Sequence, residues 1–146
     1  MPARTIRSFF VAALALVALV PSRAEAQSYA NEVWKQLETV YEKMAEKKYD
    51  SRNYIIGKMR DDATDTWTLT FEKGRSYQIM GVCDSDCSDL DITLFDGETK
   101  LEEDLLDDDV PIVSFEPKRT MQVSIRVSMA ACSDSPCYFG IGIFVK

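Results

Sequence analysis

The residues most able to do chemistry in this chain are carboxylates, and they are concentrated in one stretch. Between Cys83 and Asp109 there are nine Asp and three Glu against one Lys, a local charge of −11. Carboxylates crowded in this way raise each other's pKa unless they are solvated or share a cation. Because calcium accepts about six to eight oxygens in irregular geometries, this stretch is a candidate calcium site. The predicted ligands are Asp84, Asp86, Asp89, Asp91, Asp107 and Asp109.

The same acidic stretch has a simpler interpretation, in which the aspartates cap loops and keep sheet edges soluble. An EF-hand loop that begins at Asp84 would need glycine where Asp89 stands, so that calcium motif is excluded. A glycosidase needs two carboxylates at a set separation, but with so many acids any pair could meet this requirement by chance. Loop capping is therefore favoured over calcium, and no catalytic pair is identified.

Four cysteines lie in two close pairs. Cys83 and Cys87 are separated by Asp-Ser-Asp, and Cys132 and Cys137 by Ser-Asp-Ser-Pro. In an exported chain they predict two disulfides, and although three pairings are open, pairing within each loop needs only that a short loop folds back. Such short bridges stabilise by about 2 kcal/mol, so they chiefly fix loop shape. The alternative is a four-cysteine zinc site, which export from the cytoplasm disfavours.

The first 26 residues have the pattern of a secretory signal peptide. Arg4 and Arg7 precede an apolar run over residues 9–20, and Ala24-Glu25-Ala26 follows with small residues at cleavage spacing. The run is too short to cross a hydrocarbon layer of about 30 Å, so no membrane span is predicted. Residues 1–26 are predicted to be removed, which places the mature protein in the periplasm or outside the cell.

Composition excludes several classes of function. Without residues 1–26 the chain has 14 basic and 23 acidic residues, a net charge of −9, so nucleic acid is not an expected partner. The chain contains no histidine, which removes Ser-His-Asp and Cys-His catalysis, imidazole zinc sites and the commonest general base. A mature chain of about 120 residues suffices for one domain with its own core.

An amphipathic helix is predicted in the segment 27–50. Apolar residues recur at intervals of three and four from Ser28 to about Lys48, with Glu32 near the start and Lys47 at the end, as the helix dipole favours. The stripe is predicted to pack on the domain's own sheet. The alternative is a homo-oligomer or partner contact through residues 28–48. The stripe consists of Ala30, Val33, Trp34, Leu37, Val40, Tyr41 and Met44.

The remainder, residues 51–146, has the pattern of a β-domain. Short runs of β-branched and aromatic residues are separated by Gly, Asp and Pro, and alternation is clear over residues 90–94 and 123–129. One apolar face per strand predicts a mainly β fold, an antiparallel and jelly-roll-like β-sandwich. Asp96-Gly97 predicts a type I′ hairpin turn. The predicted strands are Tyr54–Arg60, Thr66–Phe71, Ser76–Val82, Leu90–Phe95, Lys100–Leu105, Ile112–Phe115, Met121–Met129 and Tyr138–Val145.

An ordered set of residues carries a family resemblance over roughly Thr66 to Val145. The set is Gly74-x-x-Tyr77, Cys83-Asp84-x-Asp86-Cys87-x-Asp89-Leu90-Asp91, Leu94-x-Asp96, Asp107-Asp108-Asp109, Pro111, Phe115 and a final Val-x-Val-like strand. This order resembles the bacterial pre-peptidase C-terminal domain family. The resemblance implies an exported, non-catalytic β-sandwich module, often appended to secreted peptidases, some relatives of which bind calcium or matrix polymers. The N-terminal helix and the sequence Arg119–Val123, which replaces a Gly-x-Tyr entry, depart from the family.

These patterns together predict an exported, non-enzymatic binding or accessory module with an unknown protein or polymer partner. Two alternatives are a calcium-binding adhesion-type module and a structural oligomer joined through the helix. A hydrolase is the alternative from another class, and it would have to use carboxylates or a hydroxyl activated by Lys. No catalytic residue is predicted, and calcium is the one candidate cofactor.

Overall fold

The computed structural model describes the backbone of residues 23–146 and the side chains from Gln27 onward. Residues 1–22 of the predicted signal peptide lie outside the described residues, and residues 23–26 are described as helical backbone alone. Removal of residues 1–26 therefore stays a prediction. In the described part of the chain, no helix is long and apolar enough to cross a membrane.

The described residues form one helix followed by eight strands. Two four-stranded sheets result, with strand orders β1-β8-β3-β6 and β2-β7-β4-β5, and the paired strands are antiparallel. We call the first the helix-side sheet and the other the second sheet. The predicted antiparallel β-sandwich with one N-terminal helix is confirmed. The elements are α1 (Arg23–Glu46), β1 (Asp50–Met59), β2 (Thr64–Phe71), β3 (Tyr77–Cys83), β4 (Cys87–Asp96), β5 (Thr99–Asp104), β6 (Ile112–Phe115), β7 (Met121–Cys132) and β8 (Cys137–Val145).

The central core lies between the two sheets, where alternate residues of each strand meet. Leu90, Ile92 and Leu94 of β4 are fully buried there, as their alternation predicts. Val123, Ile125, Val127 and Met129 of β7, which pairs with both β2 and β4, are also fully buried. Every second residue points outward because successive side chains of a strand point to opposite faces.

A second core lies between α1 and the outer face of the helix-side sheet. Val33 and Leu37 are fully buried against Val82 and Phe144. Gly140 on β8 permits this close approach, since a Cβ atom there would lie 2.7 Å from Leu37 Cδ1 and 2.8 Å from Val33 Cγ1. The predicted packing of the helix on its own sheet is confirmed. While it is docked, most of its apolar stripe is not available to join two copies.

Strand bounds differ from the predicted ones where pairing extends a strand. β1 begins at Asp50, because Asp50 pairs with Val145, and not at Tyr54. β7 continues past Met129 to Cys132, which lies opposite Cys87. These ends depend on a partner strand that is distant in sequence, so local composition did not reveal them.

The turn between β4 and β5 differs in type from the prediction. Asp96 pairs with Thr99, so Gly97 and Glu98 are the two central residues. Of these two, Gly97 alone has a positive φ, 61°. Glycine at the first central position is typical of a type II′ turn, whereas type I′ requires positive φ at both. The glycine is needed, but it lies one position earlier in the turn than predicted.

Candidate binding surface

Both disulfides lie at the same end of the sandwich and join the two sheets. Cys83–Cys87 connects β3 to β4, and Cys132–Cys137 connects β7 to β8. In the β4–β7 register, Cys87 lies opposite Cys132. The predicted local pairing is therefore present, and no described cysteine is left free to serve as a zinc thiolate. Two disulfides in a small domain fit a location outside the cytoplasm.

Asp84 is a buried carboxylate inside the first disulfide loop. Its side chain is 2% exposed, and its Oδ2 accepts the backbone N–H of Tyr138 at 2.6 Å. Oδ1 has no hydrogen-bond partner among the described residues. Burial raises the pKa of Asp84, backbone hydrogen bonds from Tyr138 and Asp86 oppose this rise, and the negative charges of Asp86 and Glu32 add a smaller rise. Asp84 thus acts as an internal acceptor that holds the loop to β8.

Asp86 links the two disulfide loops and the helix. Its backbone oxygen accepts hydrogen bonds from the N–H and Oγ of Ser133, at 2.8 Å and 2.9 Å. A hydrogen bond to the Asp86 side chain is also the main cause of the raised pKa of Tyr29 in α1. Asp61, on the β1–β2 turn, accepts the N–H of Cys132 at 2.8 Å. The carboxylates of Asp61 and Asp84 therefore hold loops at this end, as the loop-cap interpretation expects, whereas Asp86 bonds Ser133 through its backbone oxygen.

Asp89 and Asp91 lie beside a second group of acids. The backbone oxygen of Asp108 accepts the N–H of Leu90 at 3.0 Å, so the turn at residues 107–109 lies against β4. Burial raises the pKa of Asp89, and Asp107 and Asp108 raise it further. Burial likewise raises the pKa of Asp91, with smaller contributions from Asp89 and other acids.

The candidate calcium ligands do not form a cluster in the part of the chain that the structure describes. Asp89 does meet the turn at residues 107–109, but Asp84 uses its Oδ2 on Tyr138. Within the part of the chain whose side chains are described, no group of three or more His, Cys, Asp and Glu is placed to hold a metal ion. Calcium binding therefore stays a prediction without a formed site in this arrangement.

The acidic loop, which we define as residues 102–112, consists of the segment between β5 and β6 together with the last three residues of β5 and the first residue of β6. It presents apolar side chains to solvent. Leu105 is 54% exposed and Leu106 is 67% exposed. Val110 and Ile112 are also exposed. Large exposed apolar side chains grouped in one loop and bordered by charge mark interaction surfaces more often than isolated ones do.

Backbone hydrogen bonds attach the acidic loop to the sandwich. The oxygen of Asp108 accepts from Leu90, and the oxygen of Pro111 accepts from Gly81 at 2.9 Å. Within the loop, Asp104 accepts the N–H of Leu106 through Oδ1 and that of Ile112 through Oδ2, at 3.2 Å and 2.8 Å. The leucines are therefore presented by a loop held at both ends, on a scaffold tied by two disulfides.

The acids of this loop divide into bonded and free ones. Asp104 and Asp108 accept backbone N–H groups, and Glu103 pairs with Lys100 at 2.6 Å. Glu102, Asp107 and Asp109 are exposed and make no side-chain hydrogen bond or ion pair with the described residues. Three uncompensated negative charges therefore border the exposed leucines.

Sequence reasoning did not identify these leucines as functional. The sequence predicts Leu105 at the end of a strand and predicts loop capping or calcium binding for the aspartates. The available signal was the Leu-Leu pair followed by three Asp, which fits neither helical nor strand alternation.

An open cleft of about 660 Å³ lies next to the acidic loop, where the edge strands β5 and β6 approach each other. Its apolar lining comes from Leu101, Phe115 and Met121. Its polar border includes the ion pair between Asp96 and Arg119, at 2.6 Å. Glu102 of the acidic loop also lines this cleft.

Comparison with known proteins yields the fold. No family model and no curated protein matches the chain. Among solved structures it is similar to the pre-peptidase C-terminal domain of a collagenase from Bacillus anthracis, at 12% identity and a TM-score of 0.50, over 62% of this chain and 87% of that one. The chain has a fold like that of a pre-peptidase C-terminal domain.

The pre-peptidase-like sandwich is shared with a second solved structure. This is PliG of Aeromonas hydrophila, a periplasmic lysozyme inhibitor of g-type lysozyme. The identity is 13% and the TM-score 0.50, over 68% of this chain and 90% of that one. At such identities the likeness concerns the fold, while the function has to be argued from the surface of this chain.

Proposed function

We propose that this protein is an exported, non-enzymatic module that binds another protein through its acidic loop. The observation that carries the proposal is the exposure of Leu105 and Leu106 on a tethered loop, beside the uncompensated charges of Glu102, Asp107 and Asp109. Export follows from the predicted removal of residues 1–26 and fits the two disulfides.

The leucines are held on a loop with fixed hydrogen bonds, which favours binding. Ordering a mobile loop at an interface costs about 0.5–1.5 kcal/mol for each immobilised side chain, and a loop already held by hydrogen bonds avoids part of this cost. Leucines buried on association would supply about 25 cal/mol for each Å² of apolar surface removed from water. The leucines therefore supply affinity, and the tethers at Leu90 and Gly81 preserve it.

The charge of the loop selects the chemistry of the partner. Three free carboxylates around an apolar pair complement a protein surface on which Lys or Arg borders an apolar depression. Such pairing speeds encounter at low ionic strength and weakens as salt screens it. PliG, which has a similar fold, inhibits a g-type lysozyme, so that enzyme class is one concrete partner to test.

A hydrolase would need an accessible reacting group. Histidine is absent from the chain, and Asp84, whose pKa is raised, is buried and bonded to Tyr138. A pKa raised by burial inside a loop of this kind fits a structural acceptor. Turnover of a peptide, ester or glycoside that a single Asp or Ser replacement abolishes would overturn the non-enzymatic assignment.

The test is a binding measurement with basic proteins, including a g-type lysozyme, and with acidic proteins of matched size. We expect a basic protein to bind, and Leu105→Ser with Leu106→Ser to weaken it by about tenfold or more, because interface anchors dominate affinity. Tyr54→Ser, which removes an exposed apolar group elsewhere, is the matched control and should leave binding unchanged. Equal loss in both variants, or no binding to any basic protein, contradicts the proposal.

A further inference from the structure

β6 is the edge strand of the helix-side sheet that borders the open cleft. It spans Ile112–Phe115 and pairs with β3 alone, in a regular register. Just before it, the N–H of Gly81 donates to the oxygen of Pro111, so these two residues form a hydrogen-bonded pair. Bonded and non-bonded pairs alternate along antiparallel strands. The backbone N–H and C=O groups of Ile112 and Ser114 therefore point away from β3.

A hydrogen bond of Ile112 shows which space these outward groups face. Its N–H donates to Asp104 Oδ2 at 2.8 Å, and Asp104 belongs to β5, the edge strand of the second sheet. The outward side of β6 is therefore the gap between β6 and β5, where the cleft lies. Ser114 is exposed, and neither its N–H nor its C=O has a hydrogen-bond partner among the described residues. The cleft thus contains a free backbone donor and a free backbone acceptor.

The floor of the cleft is the outer margin of the central core. Leu101, Phe115 and Met121 pack against that core but are only partly buried. Phe115 is in edge-to-face contact with Phe71, with ring centroids 5.7 Å apart. Binding sites are commonly concave, with an apolar lining and a few placed polar groups. The cleft combines such a lining with the free backbone groups of Ser114.

The charged border of the cleft differs between its two ends. Arg119 is paired with Asp96, and Lys118 follows β6 at the end away from the acidic loop. At the other end Glu102 makes no ion pair with the described residues and belongs to the acidic loop, which carries six acids and no base, a charge of −6. A cationic group in the cleft is therefore attracted to the end at Glu102.

We infer that the cleft binds an extended segment of the partner protein, which adds to β6 as an antiparallel strand. The segment pairs with the backbone of Ser114, places an apolar side chain on Phe115 and Leu101, and places a Lys or Arg beside Glu102. Strand addition gives affinity through backbone hydrogen bonds and specificity through side-chain pockets.

This inference rests on the proposed function, since it assumes the same basic partner, and it names the part of that partner which the cleft holds. β6 is short and has one residue with both backbone groups free, so the segment alone binds weakly. Simultaneous contact of the partner with the acidic loop raises the total affinity, because the second contact is then intramolecular.

The experiment is an NMR titration of the isotope-labelled protein with the peptide acetyl-Ser-Thr-Phe-Thr-Lys-Thr-Ser-amide. Phe and Lys lie on one side of the extended peptide, and the Thr between them is the residue that faces Ser114. We expect the amide resonances of Ser114 and Phe115 to shift. N-methylation of that Thr removes its donor and should weaken binding by about tenfold. Glu in place of the peptide Lys should also weaken it, because Glu102 then repels the peptide.

A pair of matched variants tests the cleft from the side of the protein. Leu101→Ser removes part of the apolar floor and should weaken peptide binding by about tenfold. Leu105→Ser makes the same replacement on the acidic loop, outside the cleft, and should leave peptide binding unchanged. Circular dichroism melting of both variants shows that each is folded.

The outcomes separate this inference from the proposed function. Absence of any shift at Ser114 in millimolar peptide would overturn the inference, as would binding that neither N-methylation nor Leu101→Ser weakens. If basic proteins still bind through Leu105 and Leu106 in that case, the proposed function stands without it. Peptide binding in the cleft without binding of any basic protein supports the strand site and contradicts the proposed function.

Discussion

The disulfide end and the acidic loop are both rich in aspartate, but they use it in opposite ways. At the disulfide end, the carboxylate of Asp84 is buried and bonded to Tyr138, and that of Asp61 accepts the N–H of Cys132. In the acidic loop, Asp107 and Asp109 face solvent beside exposed leucines. The role of a carboxylate in this protein therefore depends on whether a backbone N–H group from another strand donates a hydrogen bond to it. Inward acids stabilise the fold, and outward acids are available to a partner.

The largest expected effect concerns the inward acid. Asp84→Ala leaves the N–H of Tyr138 without its acceptor, which should lower the free energy of unfolding by about 1–3 kcal/mol. Asp107→Ala removes an exposed carboxylate without a hydrogen bond and should change it by less than about 0.5 kcal/mol. Denaturant unfolding of both variants measures the difference. Equal effects at the two sites would remove the distinction between inward and outward acids.

The dependence of stability on pH tests whether the charge of Asp84 affects folding. The pKa of Asp84 is raised in the folded state, chiefly by burial, so its contribution to stability is fully present below the unfolded pKa, about 3.9, and is lost as pH rises through the folded value. Asp84→Asn keeps an oxygen for the Tyr138 N–H and has no charge. We therefore expect it to gain stability relative to wild type as pH increases from about 4 to about 7.

Unfolding free energies of both proteins across this pH range check the expectation. Asp86 and Glu32, whose charges lie near Asp84, are present in both proteins, so the comparison isolates Asp84. Asp89 and Asp91, whose pKa values are also raised, contribute the same background. A constant difference between Asp84→Asn and wild type at every pH would show that Asp84 carries the same charge in the folded and unfolded states.

The smallest expected effect concerns calcium. If Asp89 and the turn at residues 107–109 bind calcium with a Kd on the order of 10⁻⁴ to 10⁻³ M, tenfold excess should stabilise by roughly 1.4 kcal/mol. Thermal unfolding in millimolar calcium against chelator, at matched ionic strength, measures this shift, with magnesium as the control for screening. A midpoint that moves equally with both ions assigns these acids to loop structure and to the partner surface alone.

Much of the fold could be predicted from the sequence because its signals are local. The intervals of three and four in α1, the alternation of β4 and β7 and the two short cysteine loops each involve neighbouring residues. The structure places these residues in the helix stripe, the buried core and the two disulfides. The pattern of apolar and polar residues was sufficient to predict which side chains are buried, because one face of each helix or strand must be removed from water.

Other features were decided by tertiary structure alone. The roles of Asp84 and Asp108 depend on Tyr138 and Leu90, whose positions relative to them are set by strand pairing between distant segments. Likewise, the Leu-Leu-Asp-Asp-Asp sequence fits no regular alternation, but it does not show that Leu105 and Leu106 face solvent. Their exposure is decided by the attachment of the loop to β3 and β4. By itself the sequence determined which residues are apolar, acidic or bridged. Which of them meet, and which remain free for a partner, follows from contacts that only the folded chain brings together.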